Sequence, residues 1–307
     1  MADCSCTSKY SNSGTPNCLG DLIGAARKLI LVSRYDNTGA LNKVSLPATL
    51  NQAFFDALIN NTDRSKRWYP LPKFVNVTMP KEDSVFETFE DGSKKFVREG
   101  VRTFTAVLPG TGPQYLSVLK SARCSDMAVY IVDKNGALVG LTNGEPDVLY
   151  PFAINQGTMD AILQWATDTT GTNINFSMEF DIDQKDEQIS LIANSQLVSV
   201  NLLNLKGLYD AYVDYTSTGQ TSMVAVLHSK YGNVGQLVGI QGLVAGDFAL
   251  FNVTTATAVT ILTAVEAPAG TYTLTYASQT AGNVLRLTPT KAGIDFAPVV
   301  AKTSIVV

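Results

Sequence analysis

The chain has 307 residues and a formal net charge of −4 at pH 7, with 45% hydrophobic but only 16% charged residues. This length predicts two domains of roughly 100–200 residues each, and the sparse charge predicts that much of the surface is buried between subunits. The negative balance excludes proteins that hold nucleic acid by neutralising its phosphates with a basic face.

The first 20 residues are rich in Ser, Thr, Asn, Gly and Cys and have no apolar periodicity, which predicts an arm rather than a core element. They lack the charged and apolar regions of a signal peptide. No stretch of the chain reaches the ~18 consecutive apolar residues of a membrane span. We therefore expect a protein that is made in a cytoplasm and has no membrane partner.

Three of the four cysteines, Cys4, Cys6 and Cys18, crowd this arm, and Cys124 lies far downstream. Their spacing is not that of a standard zinc site, and the single histidine, His228, is distant in sequence. Free thiols in a reducing compartment are therefore our interpretation, with a zinc site as the alternative.

The first predicted elements are grouped around a turn. Residues 27–35 have the composition of a strand that ends at turn residues 36–39, and 41–46 are predicted to return beside it. Apolar residues at helical spacing predict a helix of about three turns over 50–59. A basic cluster at 63–67 beside two aromatic residues is interpreted as a solvated loop, with nucleic-acid contact as the alternative.

A long two-stranded ribbon is predicted after a further strand at 73–79. Residues 84–90 lead into Asp91-Gly92, a pair that favours tight hairpin turns, and 95–108 run back as one strand. Such a strand is long for a compact monomer, whose strands usually have about 5–6 residues. We therefore predict that this ribbon is shared between subunits.

A short helix and a buried hairpin follow the ribbon. Pro113 is placed to be the first helical residue, ahead of 114–123. Residues 127–132 are apolar at successive positions, as expected of a strand covered on both faces, and the turn 133–136 leads into 137–141. The helix is predicted to pack against this antiparallel sheet.

The next segment mixes irregular and regular patterns. Residues 148–154 contain Pro151, which predicts an edge or bulged strand, and 159–168 are predicted to form a helical turn or two. Residues 173–182 alternate between apolar and polar, which predicts a strand with one wet face. The apolar face of this strand carries Ile174, Phe176, Met178, Phe180 and Ile182.

The composition changes abruptly about two-thirds of the way along the chain. Only ten charged residues lie in 200–307, against forty in the preceding part. Short β-rich runs between turn signals predict a β-sandwich there, although 205–215 fit a helix or a strand equally well. The predicted domains are therefore 1–195 and 196–307.

Motifs for catalysis and cofactor binding are missing from the sequence. It has no Gly-x-Ser-x-Gly elbow, and Gly110-Thr-Gly112 lacks the Lys-Ser/Thr of a phosphate-binding loop. The acidic residues within 181–187 do not match a calcium loop and are interpreted as a solvated turn. We predict a protein that is not an enzyme and has no catalytic, cofactor-binding or metal residues. Because catalytic groups converge in space and not in sequence, an enzyme stays open as an alternative.

Five runs within the first two-thirds of the chain carry a resemblance. They are residues 51–58 (NQAFFDAL), 65–72 (SKRWYPLP), 91–93 (DGS), 98–104 (REGVRTF) and 129–133 (VYIVD). This part of the chain resembles uncharacterised virion structural proteins of phages that infect Bacteroidetes. Its predicted architecture is similar to that of long-tailed phage tail tube proteins with a C-terminal Ig-like domain.

The resemblance implies a mainly β (α+β) fold. Its first domain would be an antiparallel β-barrel or sandwich of the tube type with one or two short helices, and an Ig-like β-sandwich would follow. Tail tube subunits form stacked hexameric rings whose strands complete a continuous barrel around a DNA-conducting channel. The implied partners are copies of the chain itself, other tail proteins and passing DNA that is not specifically bound. The implied location is the virion tail.

The polar face of the strand at 173–182 supplies the predicted channel residues. Asn175, Ser177 and Glu179 are the candidates for the side that faces the lumen. A protein of another class stays open as the alternative. In that case the C-terminal sandwich would bind carbohydrate or protein, as in a capsid-decorating or adhesion module, and the first domain would anchor it.

Overall fold

The computed structural model describes residues 22–46, 49–229, 237–296 and 303–307. Contacts divide the chain into two compact units. The first ends at Lys206, and the second begins at Gly207 and also includes Gly112–Gln114. This division lies eleven residues after the predicted boundary at 195. The predicted N-terminal arm, with its three cysteines, lies outside the described residues.

The first unit is built from short strands, all of which pair in antiparallel fashion. Its strands are β1 Ala26–Ser33, β2 Val44–Ser45, β3 Tyr69–Pro70, β4 Val75–Thr78, β5 Val85–Thr88, β6 Lys94–Arg98, β7 Thr103–Pro109, β8 Met127–Asp133, β9 Leu138–Leu141, β10 Val148–Leu149, β11 Phe152–Ala153, β12 Asp160–Gln164, β13 Asn173–Glu179 and β14 Ile189–Ile192. The two α-helices are α1 Gln52–Ile59 and α2 Pro113–Ser121. Short 3-10 turns cover Asp186–Gln188, Asn194–Gln196 and Leu202–Asn204.

Two sheets enclose the core of the first unit. One has the order β14-β9-β8-β1-β3 with β11 beside β8, and the other has the order β12-β13-β7-β4. Leu29 and Val129 from the first sheet and Phe104 and Phe176 from the second share one apolar cluster and are each at most 1% exposed. The predicted mainly β fold is confirmed, although the sheets of the described chain do not close into a barrel.

Local signals explain the elements that match prediction. The Asn51 side chain accepts a hydrogen bond from the backbone N–H of Phe54 at 2.9 Å, and this N-cap starts α1. Helix α2 begins at Pro113, as predicted, because the missing N–H of proline costs nothing in the first turn. Leu119 of α2 is 2% exposed and packs into the core.

The unbroken strand predicted over 95–108 is wrong. Strand β6 ends at Arg98, and β7 begins at Thr103 in a different sheet. The two arms still run antiparallel through this break, because Lys81 and Arg102 form an antiparallel bridge and the Glu82 N–H donates to the Val101 carbonyl at 2.9 Å. At Gly100 the Cβ of any other residue would clash with the carbonyl oxygen of Glu82, so glycine permits this close approach of the two arms.

Two further predictions are wrong for one reason. The helical turns predicted over 159–168 are strand β12, which pairs along its whole length with β13. The return of 41–46 beside the first strand is limited to a bridge between Tyr35 and Leu41, since β2 pairs with β10 instead. In both cases a partner distant in sequence decides the local conformation.

The second unit contains two sheets around one core. Its strands are β15 Tyr209–Asp210, β16 Tyr212–Thr218, β17 Ser222–Ser229, β18 Val238–Gly239, β19 Phe248–Asn252, β20 Thr257–Val259, β21 Ile261–Glu266, β22 Thr271–Tyr276, β23 Val284–Pro289, β24 Ile294–Asp295 and β25 Ser304–Ile305. The two main sheets have the orders β16-β17-β22-β21, with β18 beside β17, and β20-β19-β23-β25, and β15 pairs in parallel with β24 as a separate two-stranded sheet. Leu227 and Leu274 of one sheet and Leu285 of the other are fully buried in the shared core. This arrangement is a β-sandwich.

Candidate functional site

The predicted channel residues lie together on the outer face of β13. Strand β13 alternates as expected, because Ile174, Phe176 and Met178 are at most 1% exposed and point into the core. The candidates Asn175, Ser177 and Glu179 face the other way and are half-buried. The predicted alternation is therefore confirmed over β13, but the strand ends at Glu179 instead of 182, Ile182 is 36% exposed, and the polar face is less wet than the sequence indicated.

The cross-strand partners of the three candidates decide how polar and how charged this face is. Asn175 lies between Ile162 of β12 and Val107 of β7, so its row across the sheet is largely apolar. Ser177 lies between Asp160 and Thr105, and its row is polar. The four strands of this sheet contain two carboxylates, Asp160 and Glu179, and no Lys or Arg. The strands themselves therefore offer no cation to a phosphate, and the nearby Arg123 guanidinium is paired with Asp160.

Strand β12 forms one edge of the same sheet. Ile162 is 57% exposed, and Trp165, directly after the strand, is 82% exposed. The Arg123 guanidinium supports this edge, since it donates to the Met159 carbonyl at 3.0 Å and pairs with Asp160 at 2.5 Å. Soluble proteins protect such edges with charge or cover, so an apolar edge indicates a surface that meets another molecule.

The second exposed feature is the β5–β6 hairpin. Within the described chain these strands pair only with each other, and every residue of both strands is exposed. Phe86 and Phe96 lie opposite each other with ring centroids 5.9 Å apart, and each is about half exposed. An isolated two-stranded hairpin is marginally stable in water. Its apolar side chains therefore mark it as a surface for association.

The turn of this hairpin is held by local hydrogen bonds. The Asp91 carboxylate accepts from the backbone N–H of Ser93 at 2.8 Å and from its hydroxyl at 2.6 Å. Hydrogen bonds from the Ser93 hydroxyl and then from its N–H lower the pKa of the Asp91 carboxyl. Gly92 has φ of 81°, which a residue with a Cβ rarely adopts. The predicted Asp91-Gly92 turn is thus confirmed.

Ion pairs secure the base of the hairpin. Lys81 lies 3.1 Å from carboxylates of both Glu99 and Asp186, and Arg102 lies 3.0 Å from Asp186. Hydrogen bonds to Asp186 and Glu99 raise the pKa of Lys81. Strands β5 and β6 therefore extend from a base that ion pairs hold together, although within the described chain neither strand pairs with a third strand.

A cavity of about 200 Å³ opens beside this base. Its floor is apolar and includes Ile131, Val139 and Phe152, while Arg102 and Asp186 lie at its rim. The rim charges are already paired with each other. The lining also contains Lys81 and Asp181, which are paired with other side chains, and Lys185.

The remaining charged clusters of the first unit are also paired. Asp181 of the acidic run lies 3.0 Å from Arg34, and Lys66 of the basic cluster lies 3.3 Å from Asp36. In the described ranges no group of three or more His, Cys, Asp or Glu side chains could hold a metal ion. No helix among those residues is both long and apolar enough to cross a bilayer. The acidic and basic runs thus support salt bridges.

Sequence reasoning missed two features of the exposed surface. The Ile162–Trp165 edge was hidden because a helix was predicted there. The isolation of β5–β6 was hidden because 95–108 were taken as one strand. A signal was present for the hairpin, since Phe86 and Phe96 stand among charged residues that a buried strand rarely carries.

Comparison with known proteins adds no relative. No protein-family model, curated protein or solved structure matches this chain. We therefore infer function from the surfaces described above, together with the resemblance seen in the sequence.

Proposed function

We propose that this chain is a structural virion protein, the major tail tube subunit, whose copies form stacked hexameric rings around a DNA-conducting channel. The observation that carries the proposal is the free β5–β6 hairpin, which exposes aromatic side chains and two unpaired strand edges. Self-association removes such edges by pairing them, and closure into a ring leaves none.

Burial of the hairpin supplies a driving force. Full burial of a Phe side chain contributes about 1.5–3 kcal/mol, so covering the exposed half of Phe86 or Phe96 contributes about 1 kcal/mol. Because every copy in a ring repeats the same contact, these modest terms add up around the assembly. The chain also has few charged side chains, so covering its surface removes few charges from water. Because the removal of a charge from water costs free energy, this low charge favours assembly.

The outer face of β13 suits the channel wall. Asn175 and Ser177 are polar and uncharged, and Glu179 is acidic. DNA phosphates are repelled by a carboxylate and find no Lys or Arg on the strands of this sheet. In this proposal the three side chains face the lumen, and the DNA passes without being held.

A second candidate function is a capsid-decorating or adhesion module that acts through the second unit. Strand β21 forms one edge of its sheet, and Leu262 and Val265 on it are 63% and 58% exposed. Such an edge fits a carbohydrate or protein partner. In this case the first unit would act as an anchor and would not form rings by itself.

Solution mass and negative-stain microscopy of the purified full chain test the proposal. We expect rings or tubes, and a mass that rises with protein concentration in light scattering after size exclusion. A chain that stays monomeric up to millimolar concentration, with isolated particles on the grid, would overturn the tube function and favour the module.

A further inference from the structure

We propose that the β5–β6 hairpin pairs edge to edge with the hairpin of a second copy, so that the acidic β5 strand of one copy lies beside the basic β6 strand of the next. This inference rests on the proposed self-assembly and names the contact that forms the ring. It depends on how charge is divided between the two strands.

Charge is separated along the hairpin. The segment 82–93, which includes β5 and the turn, contains five carboxylates and no cation. Strand β6 contains Lys94, Lys95 and Arg98 and no carboxylate. Strand β5 itself carries only Glu87, and the other four carboxylates flank it before the strand and in the turn, so the β5 side of the hairpin is acidic and the β6 side basic.

The charges of the two strands are largely not neutralised by each other within the hairpin. Only Glu87 stands opposite a cation, Lys95, while Thr88 faces Lys94 and Val85 faces Arg98. Among the ion pairs of the described residues, none joins β5 to β6. These cations and carboxylates therefore have charge left for a partner beside them.

Strand direction allows the pairing to repeat. Strands β5 and β6 are antiparallel, so a copied hairpin set beside the first gives the order β5-β6-β5-β6 with every neighbour antiparallel. Directly opposite side chains in such a ladder have Cβ atoms about 4.5–5.5 Å apart, within reach of ion pairing. The contact is head to tail, which generates a ring when the rotation closes.

The alternative pairings are disfavoured by charge. Two β5 strands side by side would bring Glu87 and the flanking carboxylates of both copies together, and two β6 strands would juxtapose Lys94 and Lys95. Like charges directly opposite each other destabilise a ladder. The hairpin thus selects a second copy of this chain in one orientation, and Phe86 and Phe96 of successive copies line one face of the shared sheet.

Charge exchange between the two strands tests the pairing. E87K/E90K leaves both strands without a carboxylate, although Asp91 stays at the turn, and K94E/K95E makes the strands acidic apart from Arg98. We expect each double variant to lower the assembled fraction at least about tenfold at low salt, because every intersubunit edge then carries like charges. An equimolar mixture should recover assembly, since basic and acidic hairpins alternate. The quadruple variant E87K/E90K/K94E/K95E should assemble alone.

Matched controls carry the same change in net charge elsewhere on exposed positions. They are D168K/E187K for the first double variant and K120E/K134E for the second. Both controls should assemble like the wild type. Circular dichroism of every variant checks that the two units are folded. A hairpin that merely melts, through repulsion between residues 87 and 95, would not be rescued by mixing.

The outcomes separate this inference from the proposed function. If the wild type forms rings but the double variants assemble equally well, or fail without recovery on mixing, the edge pairing is overturned and the tube function stands. If the wild type never assembles, the tube function fails and the pairing falls with it.

Discussion

Two hairpins of the first unit share their turn chemistry and differ in everything else. In β8–β9 the Asp133 carboxylate accepts from the N–H two residues on, and Asp91 does the same in β5–β6, each at 2.8 Å. All residues of β8 and β9 are buried, whereas all residues of β5 and β6 are exposed. A turn signal therefore specifies a hairpin but not its surroundings.

Strand composition accounts for the difference. Strand β8 reads MAVYIVD and has strands on both sides, with β1 on one edge and β9 and β11 on the other. Strand β6 reads KKFVR, and burying its cations without partners would cost far more than its apolar residues return. The charged hairpin therefore stays outside the core and is left for an intersubunit contact.

The largest expected effect comes from truncating the buried hairpin. Ile131→Ala should lower the free energy of unfolding by about 2–5 kcal/mol, since Ile131 is 3% exposed and lies in the core cluster. Val97→Ala, on the exposed hairpin, should change it by less than about 0.5 kcal/mol. Urea unfolding under conditions that keep both variants unassembled measures the two. Equal losses would contradict the contrast between the hairpins.

The turn aspartates provide a second contrast. Asp133 also accepts from the N–H groups of Gly24 at 2.7 Å and Ala137 at 2.9 Å and is fully buried. Asp133→Ala leaves these donors unpaired and should cost about 2–3 kcal/mol, with Asp133→Asn less damaging. Asp91→Ala opens its donors to water and should cost clearly less. Urea unfolding measures both variants. A greater loss of unfolding free energy for Asp91→Ala than for Asp133→Ala would contradict the difference in burial between the two turns.

A buried lysine on the strand next to the β8–β9 hairpin predicts that stability depends on pH. Lys28 of β1 pairs in register with Val132 of β8, and burial, followed by repulsion from Lys73, lowers the pKa of Lys28 to about 8. Between about pH 8 and 9.5 the unfolded chain then binds more protons than the folded chain. Stability should therefore rise with pH, by about 1–2 kcal/mol over this window.

Unfolding curves of the wild type and of Lys28→Met across this pH range measure the effect. The variant should lose the rise, although it also removes the donor to the Leu203 and Leu205 carbonyls and is less stable throughout. A wild-type stability that is flat or falling between pH 8 and 9.5 would show that Lys28 stays charged in the fold.

The smallest expected change in stability is at the proposed channel face. Glu179→Lys should alter the unfolding free energy by only a few tenths of a kcal/mol, because Glu179 is half-buried on the outer face of β13. Assembled rings should, however, retain DNA at low salt and release it at high salt. Glu187→Lys makes the same charge change on an exposed turn and should not retain DNA. Equal retention by both would remove Glu179 from the lumen.

Local chemistry in the sequence was sufficient for several elements. The Asn51 cap, Pro113 at a helix start and the two aspartate turns specify helices and hairpins through bonds between residues close in sequence. The alternation in β13 placed Asn175, Ser177 and Glu179 on one face, because the period of two is a property of the strand itself.

Tertiary structure decided what depends on distant partners. Strand β12 is extended because it pairs with β13, the ribbon is interrupted at Gly100 where the backbone of Glu82 lies too close for a Cβ, and β2 pairs with β10 rather than with β1. Composition and periodicity describe which side of an element is apolar, but pairing is set by the balance of contacts across the whole unit. Only that balance left β5 and β6 without neighbours.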